Sequence, residues 1–390
     1  VKISFALIII LTAFASQAQQ IRIGLFRDNN VQRISFSYND GSYSIFGDTT
    51  DFGSILPNEF IEISWLRKGS VVLRKGTVEL GTFSRVFIVQ NQTNTSIVLS
   101  PKSPSLKQRK YKDDFEVTAA TKGLTIVNLA DMDNYLAGVV ESEGGSNRNQ
   151  EYYKVQALMS RTYALKYLGK HKKEGFDLCD RVHCQAYHNM VRLSPEIDTA
   201  VLATHNIVMQ ELSGNLIDAY FHANCGGQTC EPHYIWNEKI DYLTTFKDTF
   251  CIYTKQATWE KRIDRNEWID FLVNKYDYPL HDSLCAAMVC NFDQPERLAF
   301  YLHPMFGIPL RDVRDHFDLK STFFSCYPEG EQVVLKGRGF GHGVGLCQEG
   351  AMKMAKLGYS YDQIAKYYFP NIVLVDYFHE RCERQLPANF

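Results

Sequence analysis

The stretch that decides the fold runs from Asp131 to Leu168, DMDNYLAGVVESEGGSNRNQEYYKVQALMSRTYALKYL. It reads as two helices broken at Gly144 and Gly145. On a 3.6-residue period Tyr135, Leu136, Val139 and Val140 share one face, and Glu143 continues that face one turn beyond Val139. Glu141 points the other way. Asp131 or Asp133 caps the helix start. The first helix therefore sets a carboxylate at the end of its own apolar stripe, just before the chain turns. Desolvation there disfavours the charged form and raises the pKa, as a general acid requires. The plainer reading is a C-terminal helix residue fanning out to water. The second helix, about Gln150 to Leu168, turns Val155, Leu158, Met159, Thr162 and Leu165 inward, with Arg161 at the flank. An Arg there either binds a carboxylate or an anionic sugar substituent bidentately or snorkels to solvent.

Upstream, Leu124 to Leu129 reads as a strand feeding the first helix. Residues 19–115 read as a small β-rich domain. Ile21, Ile23 and Leu25 alternate as in a half-buried strand. Asn39-Asp40-Gly41, between Ile34–Tyr38 and Ser42–Phe46, is a hairpin signal. Apolar runs at Ile61–Leu66, Val71–Leu73, Val86–Val89 and Ile97–Leu99 are further strands. Ser100 to Asp114 reads as a loop or hinge, and the basic run Lys107–Lys112 as a solvated linker. No catalytic constellation falls in this region. Residues 1–18 look like a secretory signal: Lys2, an apolar run Phe5–Phe14 too short to span a membrane, and small Ser16 and Ala18. The mature chain is then expected to be exported, to the periplasm or cell envelope, with no membrane span.

The length of 390 residues suits two or three packing units, and 45% hydrophobic with 22% charged residues is ordinary for a globular protein. A net charge of −2 gives no field for nucleic acid. Ten cysteines, none before Cys179, leave disulfides and metal both open in an exported chain. Cys179 and Cys184, with His171, His183 and His188 around them, suit zinc or a disulfide equally. Gln185 and Tyr187 alternate in an extended segment that would line a groove. His222 leads into ANCGGQTC, where Gly226 and Gly227 allow a tight turn with exposed amides. Cys225 and Cys230 would bridge each other or join Cys179 and Cys184 in a four-thiolate site. Residues 246–334 read as a Cys-rich accessory insert, helical from Trp259 to Lys275 around Trp268, with structural disulfides among Cys251, Cys285, Cys290 and Cys326. In GRGFGHGVGLCQEG, glycines alternate around His342, which favours close approach of a backbone or ligand. Helices follow at Gln348–Leu357 and after the capping box of Ser360 and Gln363.

YLAGVVESE, KVQALMSRTYALKY, AYFHANCGGQT and GRGFGHGVGLCQEGAMKMAKLGYSYDQIAKYYF together resemble the stage II sporulation protein D (SpoIID) and LytB amidase-enhancer family. Trp236 and the DYL at Asp241 to Leu243 fit its spacing. The matches cover about Leu124–Thr245 and Lys336–Pro370, in order. The resemblance implies an α+β fold, a SpoIID-like core over 116–245 and 335–390 with a helical catalytic element and β segments, preceded by the small β domain. It implies a lytic transglycosylase that cleaves the MurNAc–GlcNAc bond of peptidoglycan glycan strands, typically strands stripped of stem peptides. Its alternative is a non-catalytic glycan-binding enhancer of a cell-wall amidase. The family's glutamate falls on Glu143 and an important arginine on Arg161. Arg161, Gln185, Tyr187, His222, Gly226, Gly227, His342 and Gln348 are the expected substrate-binding set. Cys179, His183 and Cys184 fit a structural zinc position. No cofactor is required for the chemistry. The sequence departs from the family where Gly144-Gly145 replace a Met-Pro and Cys347 replaces a Ser. Asp180 and Glu231 are the candidates should a second carboxylate exist.

Overall fold

The computed structural model describes residues 19–378. The secretory signal expected over 1–18, and Cys382, lie outside the described residues. The chain divides into two units, one up to Tyr135 with Lys172–Asp180, the other of Leu136–His171 with the chain from Arg181 onward.

The first unit is built on two sheets. Its strands are β1 (Gln20–Leu25), β2 (Arg33–Asp40), β3 (Tyr43–Gly47), β4 (Thr50–Ile55), β5 (Phe60–Arg67), β6 (Ser70–Lys75), β7 (Val78–Phe83), β8 (Arg85–Gln90), β9 (Ser96–Ser103), β10 (Arg109–Lys112), β11 (Asp114–Ala119), β12 (Leu124–Asp131) and β13 (Leu178–Cys179). One sheet has the order β13-β1-β12-β11-β8-β3-β4 and the other β10-β9-β2-β5-β6-β7. All pairings are antiparallel except β1 with β13. Alternation supplies the shared core: Ile21, Ile23, Ile34, Phe36, Ile88 and Val117 are fully buried. Phe36 of one sheet meets Phe115 of the other edge-on at 5.6 Å.

Three expectations change here. The Asn39-Asp40-Gly41 turn joins β2 to β3, but these strands lie in different sheets, so it is a corner and not a hairpin. A β-carbon at Gly41 (φ +73°) would lie 2.1 Å from Thr95 Cγ2, so the turn is fixed by what packs on it. The supposed hinge at Ser100–Asp114 is mostly strand. Arg109, read as part of a solvated linker, forms an ion pair at 2.5 Å with fully buried Asp180. The unit therefore reaches Tyr135, beyond the boundary expected at 115, because β11 and β12 complete its sheet.

The second unit is organised on α1 (Met132–Gly144) and α2 (Gln150–Lys166). Asp131, not Asp133, caps α1, accepting from the backbone of Asp133 at 2.9 Å and Asn134 at 3.2 Å. Asn149 caps α2. Against α2 pack α3 (Glu196–Ala203), β14 (Ile207–Glu211), α8 (Gln348–Lys356) and α9 (Tyr361–Tyr368). Strand β14 pairs with β20 (Ile372–Asp376), and β15 (Phe221–His222) runs parallel to β19 (Leu346–Cys347). The Ser360–Gln363 capping box opens α9 as expected. The accessory region carries α4 (His233–Trp236), β16 (Thr258–Asp264), α5 (Arg265–Tyr276), α6 (Ser283–Met288), α7 (Leu310–His316), β17 (Phe324–Glu329) and β18 (Gln332–Arg338). It has its own core around Trp268 and Tyr301. Trp259 to Asp264 is a strand, not helix: it pairs along its length with β18. Among the described residues no helix is long and apolar enough to cross a membrane.

Candidate active site

Helix α1 buries Tyr135, Leu136, Val139 and Val140 completely, and Glu143 emerges at the end of that stripe, half-buried. A second chain segment is laid against the helix by Gly138. A β-carbon there would lie 2.4 Å from the Asn189 carbonyl oxygen and 2.5 Å from the Tyr187 ring. Only glycine allows residues 184–189 to lie this close. As a result the Ala186 N–H donates to Glu143 Oε1 at 2.7 Å, and the His188 N–H to Ser142 Oγ at 3.3 Å. Gln348, first residue of α8, donates from Nε2 to the Glu143 carbonyl oxygen at 3.1 Å, tying that helix to the end of α1.

Burial raises the Glu143 pKa, and the single Ala186 amide opposes this. Among the described residues no cation pairs with Glu143. Glu141, two residues earlier, has the opposite surroundings. Its Oε1 accepts from the backbone of Arg192, Leu193 and Ser194 at 2.8–3.2 Å, so it holds a loop. A carboxyl with a single donor in a partly dry place, as at Glu143, is kept ready to hold a proton.

The other expected residues arrive differently. Gln185 and Tyr187 are buried, 3% and 0% exposed, so they do not line a groove; the backbone between them reaches the acid instead. Arg161 is 2% exposed and donates to the Thr204 carbonyl at 2.6 Å and the Val201 carbonyl at 3.1 Å. It closes the C-terminal end of α3, whose carbonyls carry the negative end of the helix dipole, and does not face a substrate. His342 is saturated: Val344 N–H donates to Nδ1 at 3.1 Å and Nε2 meets the Phe221 carbonyl at 3.0 Å. Burial lowers its pKa to about 4 and that of His222 well below the usual histidine value. Both rings are neutral at pH 7, and His222 is held by Val344 O at 3.0 Å. The two glycine-rich segments lie against each other. A β-carbon at Gly226 would lie 2.7 Å from the Arg338 carbonyl carbon, and one at Gly339 2.6 Å from the Asn224 carbonyl oxygen. Gly226, Gly227 and His342 therefore build a chain crossing. Asp180 is spent on its ion pair with Arg109, and Glu231 accepts from the Thr245 amide at 3.1 Å.

Sequence reading missed the hydroxyl of Tyr152, the amide of Gln156 and the hydroxyl of Ser160. All three are buried without a hydrogen-bond partner among the described residues. They repeat at i, i+4 on one face of α2, and the Tyr152 hydroxyl lies where a β-carbon on Gly144 would meet it at 3.4 Å. That spacing was the signal available. Buried polar groups of this kind are satisfied by water or ligand.

For the zinc position, Cys184 Sγ lies 3.4 Å from His171 Nε2 and 3.7 Å from His183 Nδ1. A thiol with two imidazoles in reach of one ion fits zinc. Cys179 closes β13 in the first unit. Cys225, Cys230, Cys251, Cys285, Cys290, Cys326 and Cys347 are not joined in disulfides among the described residues. The combination of Cys225 and Cys230 with Cys184 does not form: Cys225 meets Cys251 at 3.3 Å, while Cys230 contacts the Glu231 carbonyl.

Residues 120–210, which hold α1, α2 and the segment carrying Ala186, match the family model described as stage II sporulation protein. An uncharacterized protein of Brachyspira hyodysenteriae is 27% identical over 260 residues, 65% of this chain and 69% of its own. Stage II sporulation protein D of Bacillus subtilis is 26% identical over 290 residues, 70% of this chain and 83% of its own. The amidase enhancer of Bacillus subtilis is 23% identical over 292 residues, 62% of this chain and 40% of its own. These matches, together with the motifs that build the end of α1, make the chain similar to stage II sporulation protein D and its amidase-enhancer relatives.

Proposed function

We propose that the chain is an exported lytic transglycosylase of the cell envelope, with Glu143 as its single acid and base. The observation that carries this reading is the half-buried Glu143 carboxyl, its pKa raised by burial and only one of its oxygens held by a backbone amide. The Ala186 N–H makes Oε1 an acceptor, which leaves the acid proton on Oε2. Glu143 gives that proton to the glycosidic oxygen between MurNAc and GlcNAc as the C1–O bond breaks. The resulting carboxylate takes the proton of the MurNAc C6 hydroxyl while O6 closes on C1. The product is a 1,6-anhydro sugar, and the glutamate is again protonated. One carboxyl suffices, in contrast to the paired carboxylates of ordinary glycoside hydrolases, which agrees with Asp180 and Glu231 being engaged elsewhere. Gln348 holds the acid's helix end in place rather than touching sugar. His171, His183 and Cys184 would hold a structural zinc beside the segment that supplies the Ala186 amide, and the proposed reaction uses no metal step.

The second reading is a glycan-binding enhancer of a cell-wall amidase, motivated by the relative called amidase enhancer. Mass spectrometry of denuded glycan strands decides. Anhydro-terminated fragments from the wild type and none from Glu143→Gln support the transglycosylase. Free reducing ends indicate hydrolysis. Intact glycan that is bound by both proteins, with amidase stimulation kept in the variant, replaces the enzyme by the enhancer.

A further inference from the structure

The Gly226–Gly339 crossing gathers a second donor cluster, separate from His171, His183 and Cys184. Cys225 precedes the glycine turn, Asp248 and Cys251 come from the following loop, and Cys347 ends β19 and caps α8. All four are 0% exposed. One donor atom from each lies within 4.8 Å of the other three. Cys225 Sγ is 3.3 Å from both Cys251 Sγ and Asp248 Oδ2.

We propose that Cys225, Asp248, Cys251 and Cys347 form a buried metal site of three thiolates and one carboxylate, suited to a tetrahedral zinc ion. Zinc–sulfur bonds of about 2.3 Å place sulfurs of one tetrahedron roughly 3.8 Å apart, inside the spread of this cluster. The surroundings are those of a ligand shell. Tyr368 Oη donates to Asp248 Oδ2 at 2.8 Å and the Phe250 N–H to Oδ1 at 2.9 Å, fixing the carboxylate from outside. The backbone amides of Cys225 and Gly350 point at Cys347 Sγ at 3.3 and 3.4 Å, which places a thiolate at the N-terminus of α8. Arg297, itself buried, donates to the Cys225 carbonyl at 2.7 Å and brings a positive charge close by. Gly350 keeps the space open: a β-carbon there would lie 2.1 Å from the Tyr368 hydroxyl and 2.8 Å from Asp248 Oδ2. On binding, the divalent ion takes the place of three thiol protons, which leave to solvent, and no oxidation occurs. Cys347 is followed directly by Gln348, so the ion would stiffen the residue that braces the end of α1.

The test is zinc analysis of the full chain purified without chelator, followed by Co2+ titration of the zinc-free protein. The background carries His183→Ala and Cys184→Ala, so the histidine cluster contributes nothing. The expected result is tight Co2+ binding with thiolate charge-transfer absorption that drops by about a third in Cys347→Ser and is lost in the Cys225→Ser/Cys251→Ser double variant. Serine is itself a good N-cap, so Cys347→Ser keeps the fold. Asp248→Asn keeps an oxygen facing Tyr368 and should weaken Co2+ at least about tenfold. Absence of thiolate charge transfer in the background protein overturns the site. So does a Cys225–Cys251 disulfide in peptide maps of unreduced, metal-free protein.

Discussion

The end of α1 and the crossing of the two glycine-rich segments both spend glycines, for different reasons. At Gly145 (φ +74°) the nearest atoms to a β-carbon belong to Arg148, at 3.6 Å or more, so backbone angle is the only demand. At Gly226 and Gly339 the demand is space as well, with another backbone 2.6–2.8 Å away. The helix end leaves a carboxyl open on one side; the crossing is solid. Residues named by the same motifs thus divide into a partly exposed acid and a close-packed scaffold. Nothing in their composition separates the two.

The largest expected effect is on the acid. Glu143→Gln should cut formation of anhydro ends by about a thousandfold, with the melting temperature held or raised. A variant that retains activity would move the site away from α1. Next comes the paired glycine test. Gly339→Ala should cost about 3 kcal/mol, roughly 5 °C in melting temperature, whereas Gly145→Ala should cost only about 1 kcal/mol. Equal costs would erase the distinction between the two regions. Arg161→Lys should lose about 2 kcal/mol of stability, because an ammonium cannot reach both the Val201 and Thr204 carbonyls, while KM stays unchanged. A raised KM with normal stability would return Arg161 to the substrate.

The smallest effect is on pH and stability. The Glu143 pKa is raised on folding, so the unfolded chain loses its proton first as pH rises, and the folded state loses stability between the two pKa values. Below about pH 4 both states are protonated and no difference remains. Glu143→Gln should therefore melt slightly higher than wild type at neutral pH, with the gap closing below about pH 4. A gap that widened in acid would mean that Glu143 is held charged.

Local pattern was enough where local chemistry decides. The α1 stripe, a cap at Asp131 or Asp133, the Ser360 capping box and most strands of the first unit could be read from neighbouring residues. It failed where the partner is far along the chain. Arg161 is satisfied by carbonyls 40 and 43 residues away, and Cys225 meets thiols 26 and 122 residues away. The Ala186 contact has no side-chain signature at all, since its donor is a backbone amide. The corner at Gly41 carries the same residues as a hairpin, and only the sheets on either side distinguish them.

Strand β18 lies in the middle of the accessory region's sheet, between β16 and β17, and runs without a break from Gln332 to Arg338, next to Gly339. Its ladder with β16 sets the residue that arrives opposite Asn224. A slip of one position would put a side chain where Gly339 stands, and its β-carbon would lie 2.6 Å from the Asn224 carbonyl oxygen. The accessory region therefore works as an alignment gauge: the phase of its last strand decides which residue meets Asn224.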